Sequence, residues 1–124
     1  MGKQLRSTTE RVIGAAIEVH RLLGPRYQES VYELALETEF QQRGIPFRRQ
    51  VTFSLQYKGR LVGEGRLDFL VEEHVVIELK AVEAMGILHT AQVLSYLKAT
   101  GHHLALLINF NVPTLTAGIR RVVL

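Results

Sequence analysis

The sequence predicts an α/β domain in which a mixed β-sheet is flanked by helices in the order αα-βββ-α-β, with residues 1–124 forming a single domain. Three observations carry this. Two segments with helical periodicity precede Gly44, and from Phe47 the apolar period changes to two. The strand HVVIELK is hydrophobic on both faces, as a central strand would be. A helical segment and a second apolar strand, HHLALLINF, follow it, and a right-handed β-α-β crossover is the simplest connection.

At 124 residues the chain can bury one core but not two. The absence of cysteine excludes disulfides, thiol nucleophiles, iron–sulfur clusters and cysteine-rich zinc sites, and leaves the redox compartment open. No run approaches the roughly 18 apolar residues of a membrane span, so no membrane association is expected and the expected location is cytoplasmic. A net charge of +3 and a pI near 9.5 admit an anionic partner such as nucleic acid without requiring one.

Residues 8–23 place Val12, Ala16, Val19 and Leu23 on one face, with Ile13 and Ile17 alongside. They predict an amphipathic helix capped by Thr8 or Thr9 and broken by Gly24-Pro25. His20 falls at the edge of the apolar face, where a satisfied core histidine is the commoner outcome and a ligand the rarer one. A second helix is expected over 28–43, ending at Gly44, with Val31, Tyr32, Ala35, Leu36 and Phe40 as its core stripe. Glu29 lies on that side, either as a first-turn charge favoured by the helix dipole or as a carboxylate aimed at the sheet.

FRRQVTFSLQY then reads as a strand, Lys58-Gly59 as a turn and RLVGEG as its return, with Gly63 and Gly65 allowing a bulge or bend. Arg48, Arg49, Lys58, Arg60 and Arg66 gather in this region, either as solvated edge-strand charges or as phosphate contacts. Next comes a hairpin with strands 67–71 and 75–80 joined by Glu72-Glu73-His74. If Val71 pairs with Val75, Asp68 lies opposite Glu78, on the same face as Lys80. Two acids so placed, roughly 4.5–5.5 Å apart at Cβ, destabilise a sheet unless a cation offsets them. A third helix over 86–100 puts Leu88, Ala91, Leu94 and Leu97 on its core side and His89, Gln92 and Tyr96 on another stripe. Asn111, Pro113 and Gly118 predict a loop or short helical turn, and IRRVVL a final edge strand.

Glu29, Asp68, Glu78 and Lys80 thus form a cluster of hard oxygen donors beside a cation, which suits Mg²⁺ or Mn²⁺ better than zinc. Such an ion can bind a phosphate oxygen and lower the pKa of an attacking water. Asp68 with Glu78-Leu79-Lys80 resembles the signature of the PD-(D/E)XK nucleases, whose fold is restriction-endonuclease-like. Gln92-Val93-Leu94-Ser95-Tyr96 is similar to the QxxxY signature of its RecB-type branch. The phrases EVHRLLGP, ESVYELAL, IELKAVE, HTAQVLSYLKATG and LLINFNVP resemble, across 12–123, the bacterial family called GxxExxY proteins. Two positions depart from these patterns: Arg26 stands where the naming motif has glycine, and Leu67 where the superfamily often has proline.

The resemblance implies a metal-dependent nuclease acting on nucleic acid, DNA ahead of RNA, with Mg²⁺ or Mn²⁺ as cofactor. Asp68, Glu78, the Leu79 carbonyl and Glu29 would hold the metal. Lys80, Gln92, Tyr96 and His20 would serve catalysis, and Arg48, Arg49, Arg66, His89 and Tyr96 would contact substrate. The alternatives are a catalytically silent nucleic-acid-binding module and a partner-binding scaffold in which Lys80 merely neutralises Glu78. So short a chain leaves little surface for reading base sequence, so structure-specific or nonspecific cleavage, or help from a homodimer or protein partner, is expected.

Overall fold

The computed structural model describes residues 2–124. Its elements are α1 (Gly2–Leu23), α2 (Glu29–Gln42), β1 (Phe47–Tyr57), β2 (Arg60–Val71), β3 (Val75–Lys80), α3 (Ile87–Thr100), β4 (Leu104–Asn109), a 3₁₀ turn (Leu115–Gly118) and β5 (Ile119–Val123). The five strands form one sheet in the order β1-β2-β3-β4-β5, antiparallel except for the parallel β3–β4 pair. This is the mixed, helix-flanked sheet of the restriction-endonuclease-like fold.

The sheet divides the core. Phe69, Val71, Val75, Ile77 and Leu79 join β4 side chains and the faces of α1 and α2 in one cluster. Leu70, Val76, Ala105 and Leu107 meet Val93 and Leu97 of α3 in the other. Every residue of β4, and all of β3 up to Leu79, is buried, as expected for strands covered on both faces.

Several boundaries and stripes differ from the sequence reading. Helix α1 starts at Gly2, and Thr8 and Thr9 lie within it. Their hydroxyls donate back to the Gln4 and Arg6 carbonyls instead of capping. Thr8 also reaches the Glu72 carboxylate, which pairs with Arg11 at 2.6 Å, so this part of α1 docks on the β2–β3 turn. In α2, Val31 is exposed and Glu33 is buried, because Glu33 accepts hydrogen bonds from Arg49 Nε and Gln50 Nε2, both at 2.6 Å. In α3 the buried side chains are Val93 and Leu97, while Ile87 and Leu88 are 83% and 79% exposed. The first turn of α3 projects past the sheet.

The long β1–β2 hairpin turns at Lys58 and Gly59, both with positive φ (50° and 82°), which is the twist a two-residue hairpin loop needs. β2 extends from Arg60 to Val71 and carries its one pairing irregularity beside Gly63. The register shifts where Leu55 pairs with Gly63 but Gln56 with Leu61, so the extra residue is Val62 of β2, beside Gly63 as the glycine pair predicts, and in β1 Gln50 adopts φ 56°. Beyond that position the hairpin has rotated. Odd-numbered side chains of β2 join the α1/α2 cluster at Phe69 and Val71 but the α3 cluster at Leu67.

Asn109 ties the crossover together. Its Oδ1 accepts the Val82 and Asn111 amides at 3.1 Å and its Nδ2 donates to the Val82 carbonyl at 2.9 Å. Gly118 lies against this strand end, where a Cβ would overlap the Asn109 carbonyl oxygen. Urea denaturation should therefore show Gly118→Ala destabilised by ~1–3 kcal/mol, since backbone cannot yield as a side chain can. Gly63→Ala, whose added Cβ would meet only Leu55 at 3.8 Å, should stay within about 0.5 kcal/mol of the parent.

Candidate active site

The predicted register holds: Val71 pairs with Val75 and Phe69 with Ile77. One step further, at Asp68 and Glu78, the ladder opens. In place of a backbone rung, the Asp68 amide donates to Glu78 Oε2 at 2.7 Å and the Leu79 amide donates to Asp68 Oδ2 at 2.8 Å. Amides left without partners where the strands part would each cost about 1–3 kcal/mol, and the two carboxylates satisfy them. Each acid is thereby held in one orientation. Its second oxygen has no protein partner among the described residues and is not a buried orphan, so it reaches solvent.

Both acids open into a cleft of about 430 Å³. The β1–β2 arm contributes Thr52, Glu64, Gly65 and Arg66, α2 contributes Glu29, β3 contributes Lys80, and α3 contributes Gln92 and Tyr96. Lys80 is fixed by its rung with Asn109 and by the Phe110 amide, which donates to its carbonyl at 3.0 Å. Tyr96 is held by an edge contact with Phe53, ring centres 5.1 Å apart. That contact requires Gly65, because any Cβ there would overlap the Phe53 ring.

The electrostatics are those of two buried acids whose desolvation outweighs the opposing charge of Lys80. Burial, then the neighbouring Asp68 charge, pushes Glu78 up to about 8. Asp68 is pushed up to about 6, chiefly by burial, with Glu33 and Glu29 adding repulsion. Glu29 stands at the exposed rim, yet desolvation of its carboxyl group raises it as well, with Lys80 opposing. Tyr96 is raised by burial and by the two acids. Among the described residues Lys80 forms no ion pair within 4.0 Å, so it does not neutralise Glu78 by direct contact as a scaffold network would need.

Of the expected site residues, the cleft gathers Glu29, Asp68, Glu78, Lys80, Gln92, Tyr96 and Arg66. His20 lies elsewhere: it is buried beside Phe110 and its Nε2 donates to the Val112 carbonyl at 2.8 Å. His89 also stands outside the cleft lining and accepts the Gly86 amide at 3.2 Å, closing the start of α3. Arg48 is engaged by both oxygens of Glu73 at 2.8 Å, and Arg49 by Glu33 and Glu37. Thr52 and Glu64 were not anticipated. Glu64 shares its strand parity with Arg66 and Asp68, a signal the sequence did contain, whereas Thr52 emerges only from its pairing with Arg66.

A sheet that opens at two facing acids, with a lysine two residues past the second, defines the class as the restriction-endonuclease-like α/β fold. A family model described as the PD-(D/E)XK nuclease superfamily matches residues 6–122, and the chain belongs to that superfamily. No curated protein and no solved structure matches the chain.

Divalent metals are general in that superfamily, and the donor set fits one. No three His, Asp or Glu residues among those described are grouped closely enough to hold an ion alone. Two oriented carboxylates with one unpartnered oxygen each still suit a cation such as Mg²⁺, which keeps several waters.

The raised pair makes stability pH-dependent. The folded state binds protons more tightly than the unfolded chain, so the pair's contribution is best at low pH and is lost as the carboxyls ionise. Thermal unfolding in EDTA should show Tm falling between about pH 4 and about pH 8, with Glu78→Gln flattening the decline.

Proposed function

We propose that this protein is a metal-dependent nuclease that hydrolyses nucleic-acid phosphodiester bonds, with DNA as substrate and Mg²⁺ or Mn²⁺ as cofactor. The observation that carries this reading is the opened rung. Two acids largely withdrawn from solvent, each locked by the other strand's amide and each keeping one oxygen for solvent, sit near the Lys80 ammonium, which forms no ion pair within 4.0 Å among the described residues. A buried like-charged pair weakens the fold, and a cation bound by it restores what the pair costs.

Asp68 and Glu78 would hold the metal through their unpartnered oxygens, with the Leu79 carbonyl as a further donor and Glu29 acting from the rim through water. When bound, the ion supplies a Lewis acid for a phosphate oxygen and acidifies a water. The chain's own groups do the rest. The Lys80 ammonium group stabilises negative charge developing on the phosphoryl oxygens. The Gln92 amide, which makes no side-chain hydrogen bond within the described residues, can orient the attacking water or the Lys80 ammonium. Water adds to phosphorus, the bond to the leaving ester oxygen breaks, and a phosphate monoester and an alcohol result. Tyr96 and Arg66 contact the substrate backbone from opposite walls of the cleft. The expected roles of His20 and His89 in the reaction give way to structural ones, and Arg48 and Arg49 to ion pairs with Glu73, Glu33 and Glu37. The GxxExxY branch, which the motifs suggest, is part of this reading.

Incubation of labelled single-stranded and duplex DNA with the protein should give cleavage that depends on Mg²⁺ or Mn²⁺ and ceases with EDTA. Lys80→Ala and Asp68→Ala should each lower the rate by two orders of magnitude or more. Metal should raise Tm in the parent but not in Asp68→Ala. Absence of any metal-induced shift in the parent would sink the reading.

A further inference from the structure

Arg26, in the turn between α1 and α2, has φ 87°, a left-handed conformation that glycine adopts freely and arginine does not. The turn leaves it no choice. Tyr32 Oη donates to the Gly24 carbonyl at 2.6 Å and accepts the Tyr27 amide at 3.2 Å, gripping the chain on both sides of Arg26. Tyr32 itself is buried and stacked on Phe110, 4.5 Å between ring centres and 9° between planes. A strained residue held by surroundings this rigid is a recurring feature of functional sites.

The strained turn sets where the Arg26 side chain leaves the backbone. Arg26 lines two adjoining hollows of about 230 and 290 Å³, which it shares with Glu83 and Asn111. One includes Ala81, the residue after Lys80, and Arg26 precedes Glu29 by three positions, so the hollows are lined by chain neighbours of two cleft residues, near the carboxyl ends of β3 and β4. Their walls are stiff: Asn109 binds the Val82 and Asn111 segments and His20 binds the Val112 carbonyl. Arg26 is exposed and forms no ion pair within 4.0 Å among the described residues, although Glu83 lines the same hollows. The cleft meanwhile holds four carboxylates, Glu29, Glu64, Asp68 and Glu78, against Arg66 and Lys80. A polyanionic strand running through it needs cationic contacts just outside.

We propose that Arg26 binds a backbone phosphate of the nucleic-acid strand flanking the bond to be cut, as the strand passes the carboxyl ends of β3 and β4. The inference rests on the nuclease reading and adds a binding subsite to it. Such a contact positions the strand without reading bases.

The test uses the full chain carrying Asp68→Asn, which prevents turnover, and fluorescence anisotropy of a labelled DNA strand across a salt series. Adding Arg26→Gln should weaken binding several-fold and reduce the slope of log Kd against log salt by about one, as expected for one lost phosphate contact. Arg26→Lys should restore the slope. Arg26→Gly should lose binding equally while raising Tm, because glycine relieves the strain, which separates the role of the charge from that of the turn. If the Asp68→Asn chain binds DNA and Arg26→Gln binds equally well with an unchanged slope, the Arg26 subsite is wrong and the nuclease reading stands. If neither the parent nor the Asp68→Asn chain binds DNA, the nuclease reading itself fails and the subsite with it.

Discussion

The open end of the sheet depends on two hydrogen bonds that stand in for one rung of the β2–β3 ladder: the Asp68 amide to the Glu78 carboxylate, and the Leu79 amide to the Asp68 carboxylate. They let the strands part without stranding buried amides. They also fix both acids, so that the group ending the sheet and the group available for chemistry are the same. The cost is electrostatic, because two carboxyls buried side by side resist ionisation, and both are raised well above the usual carboxylate range. Fold and site are thus coupled through charge.

Around that opening, backbone features of low intrinsic stability are held by packed aromatics. Gln50, with φ 56°, lies where the arm rotates away from the sheet. Gly65 makes room for Phe53, which in turn sets Tyr96 at the cleft wall. On the other side Tyr32 and Phe110 hold the Arg26 turn. Half-buried Phe53 in one place and buried Tyr32 in the other convert packing energy into the position of a polar group, the preorganisation that a site for a charged substrate needs.

A count of basic residues says little about where an anion binds. Arg11, Arg21, Arg43, Arg48 and Arg49 are all engaged by glutamates, most at or near the surface where each pair adds little to stability. Their effect is to remove five cations from the field seen by a polyanion. What remains near the cleft is Arg66, Lys80 and the Arg26 side chain.

Much of this molecule was legible in its sequence. The period change at Phe47, the doubly apolar β3 and β4 and the crossover determined the sheet order. The three-residue turn fixed the register that sets Asp68 against Glu78, because a strand's side chains alternate strictly and one slip would bury the wrong face. The spacing on α3 put Gln92 and Tyr96 together. Only the tertiary structure decided the rest. Helical spacing shows which residues share a stripe but not which stripe meets the sheet: Leu88 shares the expected core stripe yet is exposed, whereas Val93, off that stripe, is buried. Nor does spacing reveal pairing partners: Arg49 and Glu33 lie far apart in the chain, and their contact arises only when α2 packs beside β1. His20 illustrates the same limit. Its place at the edge of an apolar face allowed a structural or a chemical role, and the choice fell to the Val112 carbonyl, 92 residues away, which the fold brings to its ring.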